Sequence, residues 1–131
     1  MNPVVKERIK FNRKEQHLLE SHDVCRLATA GRDGWPHCVP VGYTYRSGLF
    51  HIPANKKSRK VLNLQENPRS CIVIDDEEEN VLMIQCHTDI VKGKRLIALR
   101  KSMETKTGWR IGDNSVILVL TPVRKAAWKP D

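Results

Sequence analysis

The 131-residue chain lacks every short motif by which common catalytic and cofactor sites are recognised. It contains no G-x-x-x-x-G-K-[ST] phosphate loop, no G-x-G-x-x-G fingerprint, no H-E-x-x-H zinc motif and no G-x-S-x-G nucleophile elbow. Its acidic residues are either isolated or gathered in the run 75–79, so they offer no glycosidase-like carboxylate pair. If the protein is an enzyme, a bound cofactor must supply the reactivity that its side chains lack.

Two further absences concern the compartment and the redox state. No apolar run approaches the length of a membrane-spanning helix, and the first ten residues are polar and charged, unlike a secretory signal. The four cysteines form no C-x-x-C pair, and each falls in an apolar stretch: Cys25, Cys38, Cys71 and Cys86. We therefore expect one domain over residues 1–131, in a reducing cytoplasm, with free and buried thiols. A zinc site that combines Cys38 with His37, or Cys86 with His87, is disfavoured because neighbours on a strand point to opposite faces.

What the chain has in excess is positive charge. The formal net charge is +8, although five of its fifteen acidic residues lie in the single run 75–79. The rest of the surface is therefore more basic than the total indicates. Such a field favours anionic partners: a phosphorylated cofactor, a nucleic acid or an acidic membrane face. Charge alone does not choose among them.

Hydrophobic periodicity predicts a mainly β protein with short helices. Six strands are expected, at Val24–Ala30, Trp35–Arg46, Leu49–Pro53, Cys71–Ile74, Val81–Val91 and Ser115–Thr121, the last continuing towards Trp128. Three helices are expected, from the Asn12 capping box to near His22, from Ser58 to about Asn67, and from Lys94 to about Lys106. Since the connections are short, the strands should be mostly antiparallel, and a small closed β-barrel is the predicted architecture.

The second predicted strand has one face with unusually small side chains. Val39, Val41 and Tyr43 alternate onto one face, and Pro40 and Gly42 lie on the other. Prolines remove ladder donors, so part of this strand must lie at an edge or a bulge. The glycine indicates a close approach to the main chain, and this face is low enough for a flat ring to lie on it.

The stretch NKKSRK, residues 55–60, predicts a phosphate site at a helix start. Ser58 is placed to cap the first turn, whose free N–H groups and helix dipole favour an anion. Arg59 and Lys60 in that turn are unfavourable for an isolated helix, and a bound phosphate removes the conflict. Lys57 precedes the helix and either gathers anions or faces water.

The same region resembles the FMN-binding split barrels related to pyridoxamine 5′-phosphate oxidase. RLATAGRDGWPHCVPVGYTYRSGLFHI, followed by SRKVLNLQENPR, carries the family's elements in their usual order and at about their usual spacing. The resemblance extends from about Val24 to Val91 and weakens towards the C-terminus.

The resemblance implies a six-stranded antiparallel Greek-key split β-barrel, working as a homodimer with two FMN molecules at the subunit interface. Ser58, Arg59 and Lys60 would then hold the cofactor phosphate. Other residues would lie along the isoalloxazine ring: the main chain around Val39, Pro40, Val41, Gly42 and Tyr43, and the third strand at His51 and Ile52. His51 matches a histidine that faces the substrate in some members, which makes it the candidate catalytic residue. Trp109 is a candidate for reaching the flavin across the dimer, and Asn80 for reaching a ring carbonyl.

The expected function is therefore that of an FMN-dependent oxidoreductase acting on an unknown small molecule. Pyridoxamine phosphate oxidation itself is not expected, because the sequence ends in TPVRKAAWKPD and lacks the arginine-rich segment of the true oxidases. Deazaflavin and haem remain open as cofactors within the same fold. A basic nucleic-acid-binding barrel is a second class, with Trp35, Tyr43 and Tyr45 as stacking residues, although aromatic residues make up only 5% of the chain. No membrane partner is expected.

Overall fold

The computed structural model describes residues 9–129. Along this range the elements follow in the order α1 (Arg13–Ser21), β1 (Val24–Ala30), β2 (Pro36–Gly42), β3 (Thr44–Arg46), β4 (Leu49–Asn55), α2 (Arg59–Glu66), β5 (Arg69–Asp75), β6 (Val81–Val91), α3 (Gly93–Thr107) and β7 (Ser115–Trp128). The prediction of a mainly β protein with three helices is confirmed. The strands predicted at 24–30 and 81–91 have the observed bounds, and the helices agree to within one or two residues.

The strands form one antiparallel sheet in the order β2-β1-β5-β6-β7-β4-β3. β2 and β3 are the two edges of this sheet, yet only Tyr43 separates them in the chain. A chain that crosses from one edge to the other in a single residue requires the edges to be close in space. The sheet is therefore strongly curled, with one concave face turned inward.

The prediction of six strands is wrong, because the segment expected to be one strand from Trp35 to Arg46 is two. Its first part pairs with β1 as far as Gly42, and its last part pairs with β4 from Thr44. Between them Tyr43 donates its amide to the Asp23 carbonyl at 2.9 Å and its hydroxyl to the Leu19 carbonyl at 2.7 Å. These two hydrogen bonds hold Tyr43 in place between β2, which pairs with β1, and β3, which pairs with β4.

The sheet is covered on both faces where β7 crosses it. Leu118 and Leu120 point into the main core inside the curl, which also contains the aromatic ring of Phe50. Ile117 and Val119 point outward into a second, smaller core beneath α3. Because both faces are buried, this strand has the continuous apolar sequence VILVL and not an alternating one.

Local interactions fix the positions of α1 and α2. The Asn12 side chain accepts the Glu15 amide at 2.8 Å and Glu15 accepts the Asn12 amide at 2.9 Å, so the predicted capping box is confirmed. On α2, the buried Asn63 amide donates to the Thr29 hydroxyl of β1 at 3.1 Å. This hydrogen bond fixes α2 against β1.

All four cysteines are free, but the expectation that all are buried is wrong. Cys25 and Cys86 lie in the main core, and burial raises the pKa of the Cys25 thiol to about 12. Cys71 is half-buried and Cys38 is exposed. Cys38 is exposed because β2 is an edge strand whose outer face nothing covers. Within residues 9–129 no helix has the length and apolar character needed to cross a membrane.

Candidate functional site

The start of α2 presents main-chain N–H groups without a side-chain cap. Ser58 occupies the N-cap position, but its hydroxyl donates to the Asn55 carbonyl at 2.6 Å and not towards the helix. The prediction that Ser58 caps the first turn is therefore wrong. The amides of residues 59–61, at the first three helical positions, have no intrahelical acceptor by geometry. They remain available to an anion.

The same helix start carries basic residues and no acidic one. Arg59 and Lys60 are the first two residues of α2, and no acidic residue shares their turn. Lys57 is exposed and its amide donates to Asn55 Oδ1 at 2.9 Å, which shapes the turn before the helix. No ion pair within residues 9–129 involves any of these three cations. A phosphate fits this donor set, because uncapped amides and two cations converge on one helix terminus.

β2 supplies the surface that was predicted to lie along a flat ring. Pro40 is exposed, while Val39 and Val41 are half-buried and face the sheet interior, as their alternation predicts. Proline has no N–H to donate, so in an edge strand its nitrogen faces away from the neighbouring strand. We infer that Val39 and Val41 bond to β1 and that Gly42 carries the outward-facing N–H.

The close approach predicted at Gly42 involves Trp109. A Cβ on Gly42 would lie 3.0 Å from Cη2 of Trp109 and 3.4 Å from Cζ2, so the indole rests on the glycine main chain. Trp109 follows α3 and packs against the second core. Trp109 and Gly42 are therefore brought together within a single chain.

The two candidate residues on β4, His51 and Ile52, lie on opposite faces of the strand. Ile52 is fully buried in the main core, so only its main chain is available to a ligand. His51 is half-buried on the outer face, where it borders a cavity of about 230 Å³ between the β3–β4 hairpin and α3. Burial lowers the pKa of His51, and the charges of Arg95, Arg46 and Lys106 lower it further. The imidazole is consequently neutral near pH 7.

A second cleft, of about 360 Å³, continues from the first. It shares Thr44 and Lys106 with the His51 cavity and reaches Trp109. The structure therefore brings His51 and Trp109 to the same side of the molecule. Thr44, Arg46 and Lys106 are site residues that sequence reasoning missed. Lys106 was detectable, since it continues the row Leu96, Leu99 and Met103 along one face of α3.

Asn80 lies apart from the α2 start within one protomer. It precedes β6 at the end where Val81 pairs with Trp128, whereas Asn55, before α2, pairs with Ser115 at the other end of β7. The eleven residues of β6 span roughly 35 Å when extended. The Asn80 amide groups donate to both carboxylate oxygens of Asp76 at 2.8 Å. These bonds also lower the pKa of Asp76.

The sequence raised two alternatives, a nucleic-acid-binding surface and a metal site. Of the three aromatic residues considered for stacking on a nucleic acid, Trp35 is exposed, Tyr45 is half-buried and Tyr43 is buried in the main core. Across residues 9–129 there is no group of three or more His, Cys, Asp or Glu side chains that could hold a metal ion.

Comparison with known proteins relates nearly all of the described range to one family. The family model of pyridoxamine 5′-phosphate oxidase matches residues 11–128. The 5a,11a-dehydrotetracycline/5a,11a-dehydrooxytetracycline reductase of Streptomyces rimosus is 37% identical over 70 residues, which are 50% of this chain and 49% of the relative. The chain thus aligns with about half the length of that relative.

Solved structures share the fold at low sequence identity. An F420 reductase has a TM-score of 0.73 and 19% identity, over 88% of this chain and 98% of its own. The haem storage protein HutZ of Vibrio cholerae has a TM-score of 0.75 and 15% identity, over 92% of this chain and 95% of its own. These similarities show a shared fold, which occurs in proteins with different functions. Because the family match extends over residues 11–128, the chain belongs to the pyridoxamine 5′-phosphate oxidase-like split-barrel family.

Proposed function

We propose that this protein binds FMN and acts as a flavin-dependent reductase on a small molecule. The observation that carries the proposal is the start of α2, where uncapped amides and two cations without acidic partners converge. Family membership gives that anion site its context, and the Streptomyces rimosus reductase supports the direction of the reaction. Bound flavin supplies the electron-transfer chemistry that the side chains lack.

Six of the candidate residues have assigned roles in this proposal. Arg59 and Lys60 pair with the phosphate, which accepts the first amides of α2. Gly42 offers its main-chain N–H to the ring edge, and Trp109 and the main chain of Ile52 border the ring. Neutral His51 can donate or accept a proton at the substrate, and its position beside a cavity suits that role.

The proposal includes a homodimer with the flavin at the subunit interface, as in the family. Asn80 lies far from α2 in its own protomer, so a role for Asn80 in ring binding requires the second copy. Size-exclusion chromatography with light scattering, with and without FMN, measures the assembly. A protein that binds FMN as a monomer would remove Asn80 from the site.

The test of FMN binding has a matched control in the chain itself. Arg13 and Lys14 occupy the first two positions of α1, as Arg59 and Lys60 do in α2, but the α1 start is closed by its capping box. The double variant Arg59→Gln/Lys60→Gln removes two charge-assisted interactions of about 1.5–3 kcal/mol each, so the FMN Kd should rise at least 100-fold. The variant Arg13→Gln/Lys14→Gln makes the same change in net charge and should bind FMN as the wild type does.

Binding is followed by the quenching of flavin fluorescence on titration with protein. Equal weakening in both variants would show a long-range charge effect and no phosphate site at α2. Wild-type protein that binds no FMN, but binds a deazaflavin or haem, would replace FMN by that cofactor. A deazaflavin also carries a phosphate, so the same pair of variants applies to it.

A further inference from the structure

The cavity beside His51 combines an apolar wall with a cationic rim. Its volume is about 230 Å³, and Leu99 and Met103 of α3 and Leu49 of β4 contribute apolar side chains to its lining. Arg46 and Lys106 lie at the rim. The cavity is smaller than sites for drug-sized ligands, which hold roughly 300–1,000 Å³. It can accept a small ring or a short chain.

The cations that line this cavity form no ion pairs with acids of the described chain. Neither Arg46 nor Lys106 takes part in any ion pair of the described chain. Asp89 is an acidic residue on the same face of the sheet. It lies two strands from His51, since both residues pair with Val119, which places it roughly 10 Å away. On the other side of Lys106, the neighbouring cleft contains Glu20 and Asp23.

His51 faces the same space without a partner of its own. Its imidazole makes no hydrogen bond to residues 9–129, although it is half-buried. Arg95 adds a third positive charge from the first turns of α3. The half-buried imidazole beside three cations can donate to a ligand oxygen, because no group of residues 9–129 occupies its ring nitrogens. A ligand with a negative oxygen satisfies the imidazole and the cations together.

We propose that this cavity binds a small planar organic anion, either a carboxylate or an enolate. The anionic oxygen lies between Arg46 and Lys106, the imidazole of His51 donates to it, and the apolar body packs on Leu99 and Met103. Where the proposed function holds, this ligand is the substrate, and the cavity selects substrates with an acidic oxygen next to a flat apolar group.

The test uses cofactor-free protein and benzoate, with benzamide as the neutral molecule of matching shape. Proton NMR of the histidine C2–H signals is recorded against pH, and His51 is assigned by its loss in His51→Gln. Benzoate should raise the pKa of His51 in a saturable manner, because a bound anion favours the imidazolium. Benzamide should leave that pKa unchanged.

Two variants separate the cavity from general charge. Lys106→Gln and Arg46→Gln should each weaken benzoate binding about 10-fold, which corresponds to one lost charged contact. Lys101→Gln, an exposed change on α3 away from the cavity, should bind benzoate as the wild type does. Urea denaturation of each variant confirms that it is folded before binding is measured.

Three results would overturn the proposal: equal response to benzoate and benzamide, equal pKa changes in all histidines, or unaltered affinity in both cavity variants. Because no flavin is present, the result does not depend on the FMN titration. Protein that binds benzoate but not FMN would retain the anion site and lose the proposed function. Protein that binds FMN but not benzoate would lose only the substrate class.

Discussion

The contact between Gly31 and Asn63 predicts a specific cost for one added methyl group. A Cβ on Gly31 would lie 2.6 Å from Oδ1 of Asn63, closer than non-bonded atoms approach, so the amide must rotate. Asn63 is 5% exposed, and its partner Thr29 is 4% exposed. Rotation breaks their 3.1 Å hydrogen bond and leaves both polar groups buried without a replacement.

The expected magnitude follows from these contacts. Leaving buried polar groups unsatisfied costs about 1–3 kcal/mol, and the Gly→Ala change recovers about 0.4–1 kcal/mol by restricting the unfolded chain. Gly31→Ala should therefore lower the free energy of unfolding by about 1–2 kcal/mol. With an m-value of roughly 2 kcal/mol/M, the urea midpoint falls by roughly 0.5–1 M. The protein concentration is held fixed, because assembly would alter the midpoint.

The chain provides both a control and a cycle for this prediction. Gly112 has a backbone conformation that alanine adopts and no atom within 4 Å of its added Cβ, so Gly112→Ala should be neutral or slightly stabilising. In an Asn63→Ala background the obstructing amide is absent, and Gly31→Ala should then cost nothing. An undiminished penalty in that background, or no penalty in the wild type, would refute the reasoning.

Two further predictions concern the hairpin beside the site. Tyr43→Phe should cost about 1–2 kcal/mol in urea denaturation, because it leaves the Leu19 carbonyl without its donor; Tyr45→Phe, whose hydroxyl makes no such bond, is the neutral control. His51 has a lowered pKa in the folded state, so below the ordinary value of 6.5 the unfolded chain binds the proton first. The free energy of unfolding should therefore decrease as the pH falls below 6.5, because protonation of His51 favours the unfolded chain. His51→Gln should flatten this loss, and an unchanged pH slope would contradict the lowered pKa.

Local sequence predicted those elements whose ends are set by neighbouring residues. β6 alternates from Leu82 onward and begins after a charged loop, so its bounds could be read directly. The break between β2 and β3 could not be predicted, because Val41, Tyr43 and Tyr45 continue one alternation across it. The break depends on residues distant in the sequence, because Tyr43 donates its hydroxyl to the Leu19 carbonyl and its amide to the Asp23 carbonyl. The exposure of Cys38 likewise depends on strand order, which the alternation within a strand does not contain.

The site divides in the same way. Residues 57–60 could be proposed from the sequence because a basic helix start is a local arrangement. The environment of His51 was not found, because Arg46 and Lys106 come from two elements that meet only in the fold. Periodicity gives the face of α3 on which Lys106 lies, but not the strand beneath it.

The two helix starts show why basic residues alone are not sufficient to predict a phosphate site. α1 begins Asn12-Arg-Lys-Glu and α2 begins Ser58-Arg-Lys-Val, so the cations occupy identical positions. They differ at the third helical residue. Glu15 places a negative charge near the first turn and completes the capping box, whereas Val61 is buried in the core and does neither. The α1 start is satisfied internally, whereas the first amides of α2 have no side-chain acceptor and are the ones we propose bind an anion. The third helical residue is therefore the feature that separates the internally capped start of α1 from the uncapped start of α2.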